Sequence, residues 1–141
     1  MNSMAPPTEA VMWSLIHAAK AVEQRMESAL ELVELSSPKF AVLTILVDAN
    51  DALTLSELAA KSSCVRSNMT QLIDRLEADG LVRRIDDPHD RRSVRAELTA
   101  RGRERQAAGA QRMEVVQKEL ADLLPADVDL AALCRTFGAL S

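Results

Sequence analysis

Apolar residues recur at three- and four-residue steps along much of this chain, and that spacing predicts helices. The first such stretch covers residues 8–33 and predicts a long amphipathic helix with Thr8 as its N-cap. A second, largely apolar helix is predicted to start at Ser36-Ser37-Pro38, a Ser cap followed by Pro at the first helical position. This helix should end near residues 49–51.

The last third of the chain has the same spacing. Residues 100–124 predict a long helix with Thr99 as its N-cap, and residues 128–140 predict a shorter helix after Pro125. The segments 8–33 and 126–140 hold more apolar residues than a small globular lobe can cover. Since exposed apolar patches of that size are unusual on monomers, we expect these terminal helices to pair with a second copy of the chain.

The middle of the chain predicts a helix, a turn and a second helix. Thr54-x-x-Glu57 is a capping box, which predicts a short helix ending near residues 61–63. Asp79-Gly80 predicts the end of the next helix, because Gly accepts a left-handed backbone conformation. The apolar stripe of that helix is Val65, Met69, Leu72, Ile73 and Leu76.

Two short segments after this helix pair predict a β-hairpin. Residues 81–86 and 94–98 have strand-like patterns, and a polar turn over residues 87–93 joins them. A helix-turn-helix followed by such a hairpin is a winged helix. The predicted fold class is therefore mainly α (α+β), a winged helix-turn-helix with long N- and C-terminal dimerisation helices.

The polar face of the fourth predicted helix carries side chains that can read base edges. An arginine matches the guanine edge, and Asn and Gln match adenine, in a major groove that admits an α-helix. The same face could instead be an ordinary solvated surface, and the hairpin that follows favours the DNA-binding interpretation. The candidate DNA-binding residues of the helix are Arg66, Ser67, Asn68, Thr70, Gln71 and Arg75.

The hairpin turn carries two adjacent arginines, Arg91 and Arg92, which we expect to contact phosphates or an adjacent minor groove. Asp90 precedes them, and its negative charge is unfavourable at a phosphate surface unless it has a separate task. We expect Asp90 to brace one of the arginine side chains.

The distribution of charge supports this location more than the total does. The net charge is −4, but residues 54–105 hold eleven Lys and Arg against nine Asp and Glu, whereas the segments on either side are acidic. The length of 141 residues, with 48% hydrophobic residues, predicts one domain with a substantial core.

Several other classes of protein are disfavoured. No apolar run approaches the roughly 20 residues that cross a bilayer, and the first residues do not resemble a secretory signal. Two cysteines do not make a disulfide framework, so we expect a cytoplasmic protein. The only histidines, His17 and His89, lie far apart, and no pattern indicates an enzyme, a metal site or a cofactor.

Two alternatives remain open at this point. Cys64 lies beside Arg66 at the expected start of a helix, an environment that favours a reactive thiolate and hence a redox-responsive regulator, although an inert Cys filling an aliphatic turn position is the favoured interpretation. A winged helix used only for protein contacts is the other alternative. It predicts no steep salt dependence of binding to duplex DNA.

The run LEADGLVRRIDDPHDRRSVRAELTARG resembles the signature of the MarR family of winged-helix regulators. The matching pieces are Leu76-Glu77, Gly80-Leu81-Val82, Arg84, Asp86, Asp90-Arg91-Arg92, Leu98-Thr99 and Gly102. The chain differs at the turn, where Ser63-Cys64-Val65 replaces the family's usual Gly, aliphatic residue and capping Ser, so Ser62 or Ser63 is expected to cap the helix.

The resemblance implies a single domain over residues 1–141, with dimerisation helices at 8–35 and 100–141 around a DNA-binding lobe at 36–99. It implies a homodimer that binds a pseudo-palindromic operator as a repressor. It also implies release by a small aromatic or lipophilic effector bound between the dimer interface and the DNA-binding lobe. The candidate residues for that pocket are Met12, Trp13, His17 and Phe40, each of which could equally be part of the core.

Overall fold

The computed structural model describes residues 7–62 and 66–140, with the side chains of all these residues except 66 and 67. Most of the chain is helical, and a small antiparallel sheet lies in its second half. The elements in chain order are a 3₁₀ turn at Thr8–Ala10, α1 (Val11–Glu31), α2 (Ser37–Ala49), β1 (Leu53–Thr54), α3 (Leu55–Ser62), α4 (Arg66–Ala78), β2 (Val82–Asp86), β3 (Val94–Leu98), α5 (Ala100–Leu123) and α6 (Leu130–Gly138).

The central lobe is a winged helix, as the sequence pattern predicts. Strand β3 lies between β1 and β2, and both pairings are antiparallel. The sheet packs with α2, α3 and α4 around one apolar core, to which α1 also contributes Leu30. The largest fully buried side chains of this core are Leu30, Val42, Leu43, Leu46, Leu58, Met69, Ile73, Leu76, Leu81 and Val82.

Polar side chains cap the N-termini of α2, α3, α5 and α6, and in α6 the cap is the Asp129 carboxylate. The Ser36 hydroxyl accepts a hydrogen bond from the Lys39 amide, so Pro38 occupies the second helical position, one residue later than predicted. Thr54 and Glu57 form the predicted reciprocal capping box, with both hydrogen bonds at 3.1 Å. The Thr99 hydroxyl accepts from the Gly102 amide at 2.9 Å. These side chains satisfy amide groups that a helix leaves without an internal partner.

The predicted cap at Thr8 is wrong. The chain enters α1 through the 3₁₀ turn, and Ala10, at the N-cap position, has no side-chain hydrogen bond. The backbone carbonyl of Thr8, rather than its hydroxyl, accepts a hydrogen bond from the Val11 amide. A continuous apolar pattern hides this change from 3₁₀ to α geometry, because the two helices differ by a fraction of a residue per turn.

The terminal helices form a second part of the molecule beside the winged lobe. Both nitrogens of the Arg25 fork, Nε and Nη2, donate to the two carboxylate oxygens of Glu119 at 2.7 Å, which joins α1 to α5. The hydrogen bonding from Arg25 is the main reason that the pKa of the Glu119 carboxyl lies below its ordinary value. Within the described ranges, no helix combines the length and apolar character needed to span a membrane.

Candidate nucleic-acid interface

Helix α4 has one buried face and one exposed polar face. Met69, Ile73 and Leu76 are completely buried against the core. Among the candidate residues on the other side, Asn68, Thr70, Gln71 and Arg75 are exposed. The helix therefore presents a row of hydrogen-bonding side chains to solvent while its apolar stripe fixes it to the lobe.

Part of the expected site lies outside the described structure. Arg66 and Ser67 are the first two residues of α4, but their side chains are not described, and Cys64, Val65 and Ser63 lie in the gap before it. The suggested cap at Ser62 is wrong, since Ser62 is the last residue of α3 and its hydroxyl donates to the carbonyl of Ala59 at 3.4 Å.

The hairpin turn is fixed by carboxylates that accept hydrogen bonds from backbone amides. Asp87 Oδ1 accepts from the His89 amide at 3.0 Å, and Asp90 Oδ1 accepts from the Arg92 amide at 2.9 Å. The Asp90 carbonyl also accepts from the Ser93 amide at 3.0 Å. Asp90 therefore braces the backbone of the arginine pair, and not a guanidinium group as the sequence suggested.

Arg91 and Arg92 are both exposed at this turn. In the described part of the chain, neither guanidinium forms an ion pair. An ordered backbone carries two cationic side chains that are free to meet an anionic partner. Backbone order of this kind lowers the entropy that a loop loses on binding.

Asp87 and Arg95, which the sequence did not single out, hold the base of the hairpin. Arg95 Nε lies 3.4 Å from Asp87 Oδ1, and Arg95 Nη1 donates to the Ala52 carbonyl at 3.1 Å. The pKa of the Asp87 carboxyl lies below its ordinary value, mainly because of the hydrogen bond from the His89 amide and further because of the Arg95 charge. This arrangement connects the hairpin turn to the segment that leads into β1.

Arg84 of β2 contacts α4 directly. Its Nη1 donates to Glu77 at 2.9 Å, its Nη2 donates to Asp74, and its backbone amide donates to Glu77 at 2.9 Å. Partial burial lowers the pKa of the Arg84 guanidinium, but the hydrogen bonds that it donates to Asp74 and Glu77 outweigh that effect, and the net pKa is raised. The cation therefore stays charged and attached to α4.

The four candidate effector-pocket residues are not brought together within one chain. Met12, Trp13 and His17 are exposed near the start of α1, with Trp13 at 65% exposure. Phe40 lies in α2 and packs against the core beside Leu35 and Gly109. At about 1.5 Å per residue, the length of α1 places Trp13 roughly 27 Å from the Glu31 end that leads to α2.

Comparison with known proteins agrees with this architecture. The MarR family model matches residues 35–94, from just before α2 to the first residue of β3. The HTH-type transcriptional regulator YsmB of Bacillus subtilis is 37% identical over 89 residues, which are 63% of this chain and 60% of YsmB. The HTH-type transcriptional repressor YetL of the same organism is 37% identical over 93 residues, which are 65% of this chain and 56% of YetL. The matched part is thus less than two thirds of either relative.

Among solved structures, a mutant of MarR from E. coli complexed with operator DNA has a TM-score of 0.81 and 26% sequence identity. The likeness covers 94% of this chain and 95% of that chain, so it includes the terminal helices as well as the winged lobe. The family match, the sequence relatives and the fold agree with one another. The central part of the chain matches the MarR family model, and the whole fold is similar to that of a solved MarR protein.

Proposed function

We propose that this protein is a sequence-specific regulator of transcription that binds duplex DNA and acts as a repressor. The observation that carries the proposal is the pairing, in one lobe, of an exposed polar face on α4 with an ordered hairpin turn that presents Arg91 and Arg92. A helix of this kind fits the major groove, and arginines beside it fit phosphates or the minor groove. YetL is named a repressor, and the E. coli MarR mutant was crystallised with operator DNA.

The proposed binding form is a homodimer. Many large apolar residues of α1 and of the α5–α6 region are exposed in the single chain, and Val22, Leu120, Leu124 and Leu130 line one apolar hollow of about 360 Å³. This hollow joins three helices, so apolar residues of α1, α5 and α6 meet at one place on the surface, which is suited to a second copy. A two-fold dimer presents two α4 helices to a pseudo-palindrome with half-sites roughly 10 base pairs apart, or a multiple of that.

In this proposal residues 36–99 are the DNA-binding lobe, residues 8–35 and 100–141 form the dimerisation part, and the protein works in the cytoplasm. A small aromatic or lipophilic effector releases the repressor. Met12, Trp13 and His17 lie on the exposed apolar part of α1, so a partner chain is needed to enclose a pocket beside them. Phe40 does not belong to this set, because it packs against Gly109 in the core of its own chain.

A selection from random-sequence duplexes by the purified protein tests the DNA-binding function. We expect recovery of a two-fold symmetric motif, and repetition at two salt concentrations should show affinity falling by about 0.9 log units per released counterion for each log unit of salt. A folded protein that recovers no motif and shows no salt-dependent binding to any duplex would contradict the proposal. That result would support a winged helix used for protein contacts.

A further inference from the structure

The exposed polar surface of α4 is divided into two stripes. Successive helical residues are separated by about 100°, so residues three, four and seven apart share a face. Asn68, Gln71 and Arg75 form one such set, which we call the open stripe, and all three are exposed. Thr70, Asp74 and Glu77 form the neighbouring set, which we call the clamped stripe.

Arg84 contacts every member of the clamped stripe. Its guanidinium donates to the Asp74 and Glu77 carboxylates and, at 3.5 Å, to the backbone carbonyl of Thr70. These contacts extend over about two turns of the helix, or roughly 10 Å. The backbone amide of Arg84 adds a second bond to Glu77, so the position of β2 along α4 is also fixed.

The neighbouring arginine has no such role. Arg83 alternates to the other face of the hairpin, where its ion pair, at 3.1 Å, is with Glu97 directly across on β3. The Arg83 side chain is 65% exposed, whereas that of Arg84 is 27% exposed. The two adjacent arginines therefore offer a comparison in which only one of them joins the hairpin to α4.

We propose that Arg84 is a positioning residue for the DNA interface, because it fixes the rotation of α4 against the hairpin and so directs the open stripe toward base edges. This inference rests on the proposed DNA-binding function. Arg84 has a second effect, since its charge offsets two carboxylates on the helix that would otherwise repel phosphates. It is thus a hairpin arginine that acts through protein contacts and not through DNA.

The two effects can be separated by a double variant that conserves net charge. Arg84→Gln with Asp74→Asn removes one positive and one negative charge and breaks the contacts of Arg84 with the clamped stripe, which we call the clamp. We call this the clamp variant. The matched control is Arg83→Gln with Glu97→Gln, which removes the other arginine ion pair of the hairpin without changing net charge. The probes are the duplex that the wild-type protein selects from a random pool and a scrambled duplex of the same composition.

We expect the clamp variant to lose at least about tenfold in affinity for the selected duplex and less than about threefold for the scrambled duplex, since the nonspecific term depends on charge. The control should stay within about threefold on both probes. Wild-type affinity for the selected duplex, or equal losses on the two probes, would overturn the proposal. Arg84→Lys, whose single ammonium cannot match the planar fork, should give an intermediate loss of specificity in a protein of unchanged charge.

A measurement without DNA tests the clamp separately from the proposed function. We expect amide hydrogen exchange in residues 70–78 to be about tenfold faster in the clamp variant than in the wild type or the control, because α4 loses its attachment to β2. Unchanged exchange in this segment would overturn the clamp even if DNA binding were altered. If the wild-type protein binds no duplex, the proposed function fails, and Arg84 then has no DNA interface to position.

Discussion

Gly102 is the residue at which α5 comes closest to the winged lobe. A Cβ atom placed there would lie 1.9 Å from the carbonyl oxygen of Leu81, a backbone atom that cannot move aside without disturbing the turn before β2. The same carbonyl accepts a hydrogen bond from the Thr99 amide at 3.1 Å. Glycine at this position therefore allows the start of α5 to rest directly on the turn at residues 80–81.

Gly102→Ala should destabilise the protein by about 3 kcal/mol, at the upper end of ordinary overpacking costs, because the clash is with backbone. Gly138→Ala in α6 is the control, since a Cβ there would have no heavy atom within 4 Å, and Ala should be neutral or stabilise the helix by up to about 1 kcal/mol. Urea unfolding of both variants at one protein concentration measures the difference. Equal stability of the two variants would contradict the close packing inferred at Gly102.

The Asp87 carboxyl makes the order of the hairpin turn depend on pH. Its folded-state pKa lies below the ordinary value of 3.8, so its ionised form stabilises the hairpin above that value, and the stabilisation is lost as pH falls through the lowered pKa. Asp87→Asn should therefore speed exchange of the His89 amide at pH 6–7, and the difference from wild type should shrink below about pH 4. A difference that grows on acidification would have the wrong sign. Glu97→Gln, at a carboxylate of the hairpin with no contact to the His89 amide, serves as the control.

Elements were easier to predict from the sequence than the contacts between them. The capping box at Thr54 and Glu57, the cap at Thr99 and the stop at Gly80 are local signals, and each is found at the predicted position. Gly102 and Gly109 are unfavourable residues for a helix interior, yet both are buried where α5 meets other elements.

The ion pairs that shape the candidate interface could not be predicted in the same way. Arg84 pairs with Asp74 and Glu77, and Arg95 with Asp87, only because the hairpin register and its packing on α4 bring separate elements together. The sequence pattern alone does not show on which element the partner of Arg84 lies, and a hairpin shifted by one residue would turn Arg84 to the other face. The start of α4, with Arg66 and Ser67, stays a prediction from sequence.

Helix α4 and the hairpin should contribute differently to DNA binding. Arg91→Ala should weaken binding to selected and scrambled duplexes alike and reduce the salt slope by about 1, because an exposed guanidinium at the turn meets phosphate. Gln71→Ala should instead cost roughly 1–3 kcal/mol at particular base pairs and leave binding to scrambled duplex nearly unchanged. Titrations of both variants on both probes measure this. Equal losses on the two probes for both variants would contradict the division of roles.

At the scale of the whole molecule, the winged lobe is complete in one chain, whereas the terminal helices are not. The lobe buries its apolar residues in a single core, but in α6 no residue is buried, and Leu130, Leu133 and Phe137 are each more than 40% exposed. Because α1, α5 and α6 share an apolar hollow, a second copy that covers this hollow would contact all three helices. DNA affinity and dimerisation should therefore be linked.

Leu133→Asp should convert the proposed dimer to monomer, since it places a charge in the surface that the partner covers. The control is Val94→Asp, at an exposed apolar residue (36%) of β3 in the winged lobe, which should leave the dimer intact. The proposed dimer encloses Trp13, the only tryptophan, so its emission should shift to longer wavelength when the dimer is lost, in parallel with the mass from sedimentation equilibrium. Affinity for a two-half-site duplex should fall by about a hundredfold or more, because the second half-site is no longer bound by a linked lobe. A wild-type protein that binds this duplex as a monomer, with the same affinity as Leu133→Asp, would contradict the dimeric mode of binding.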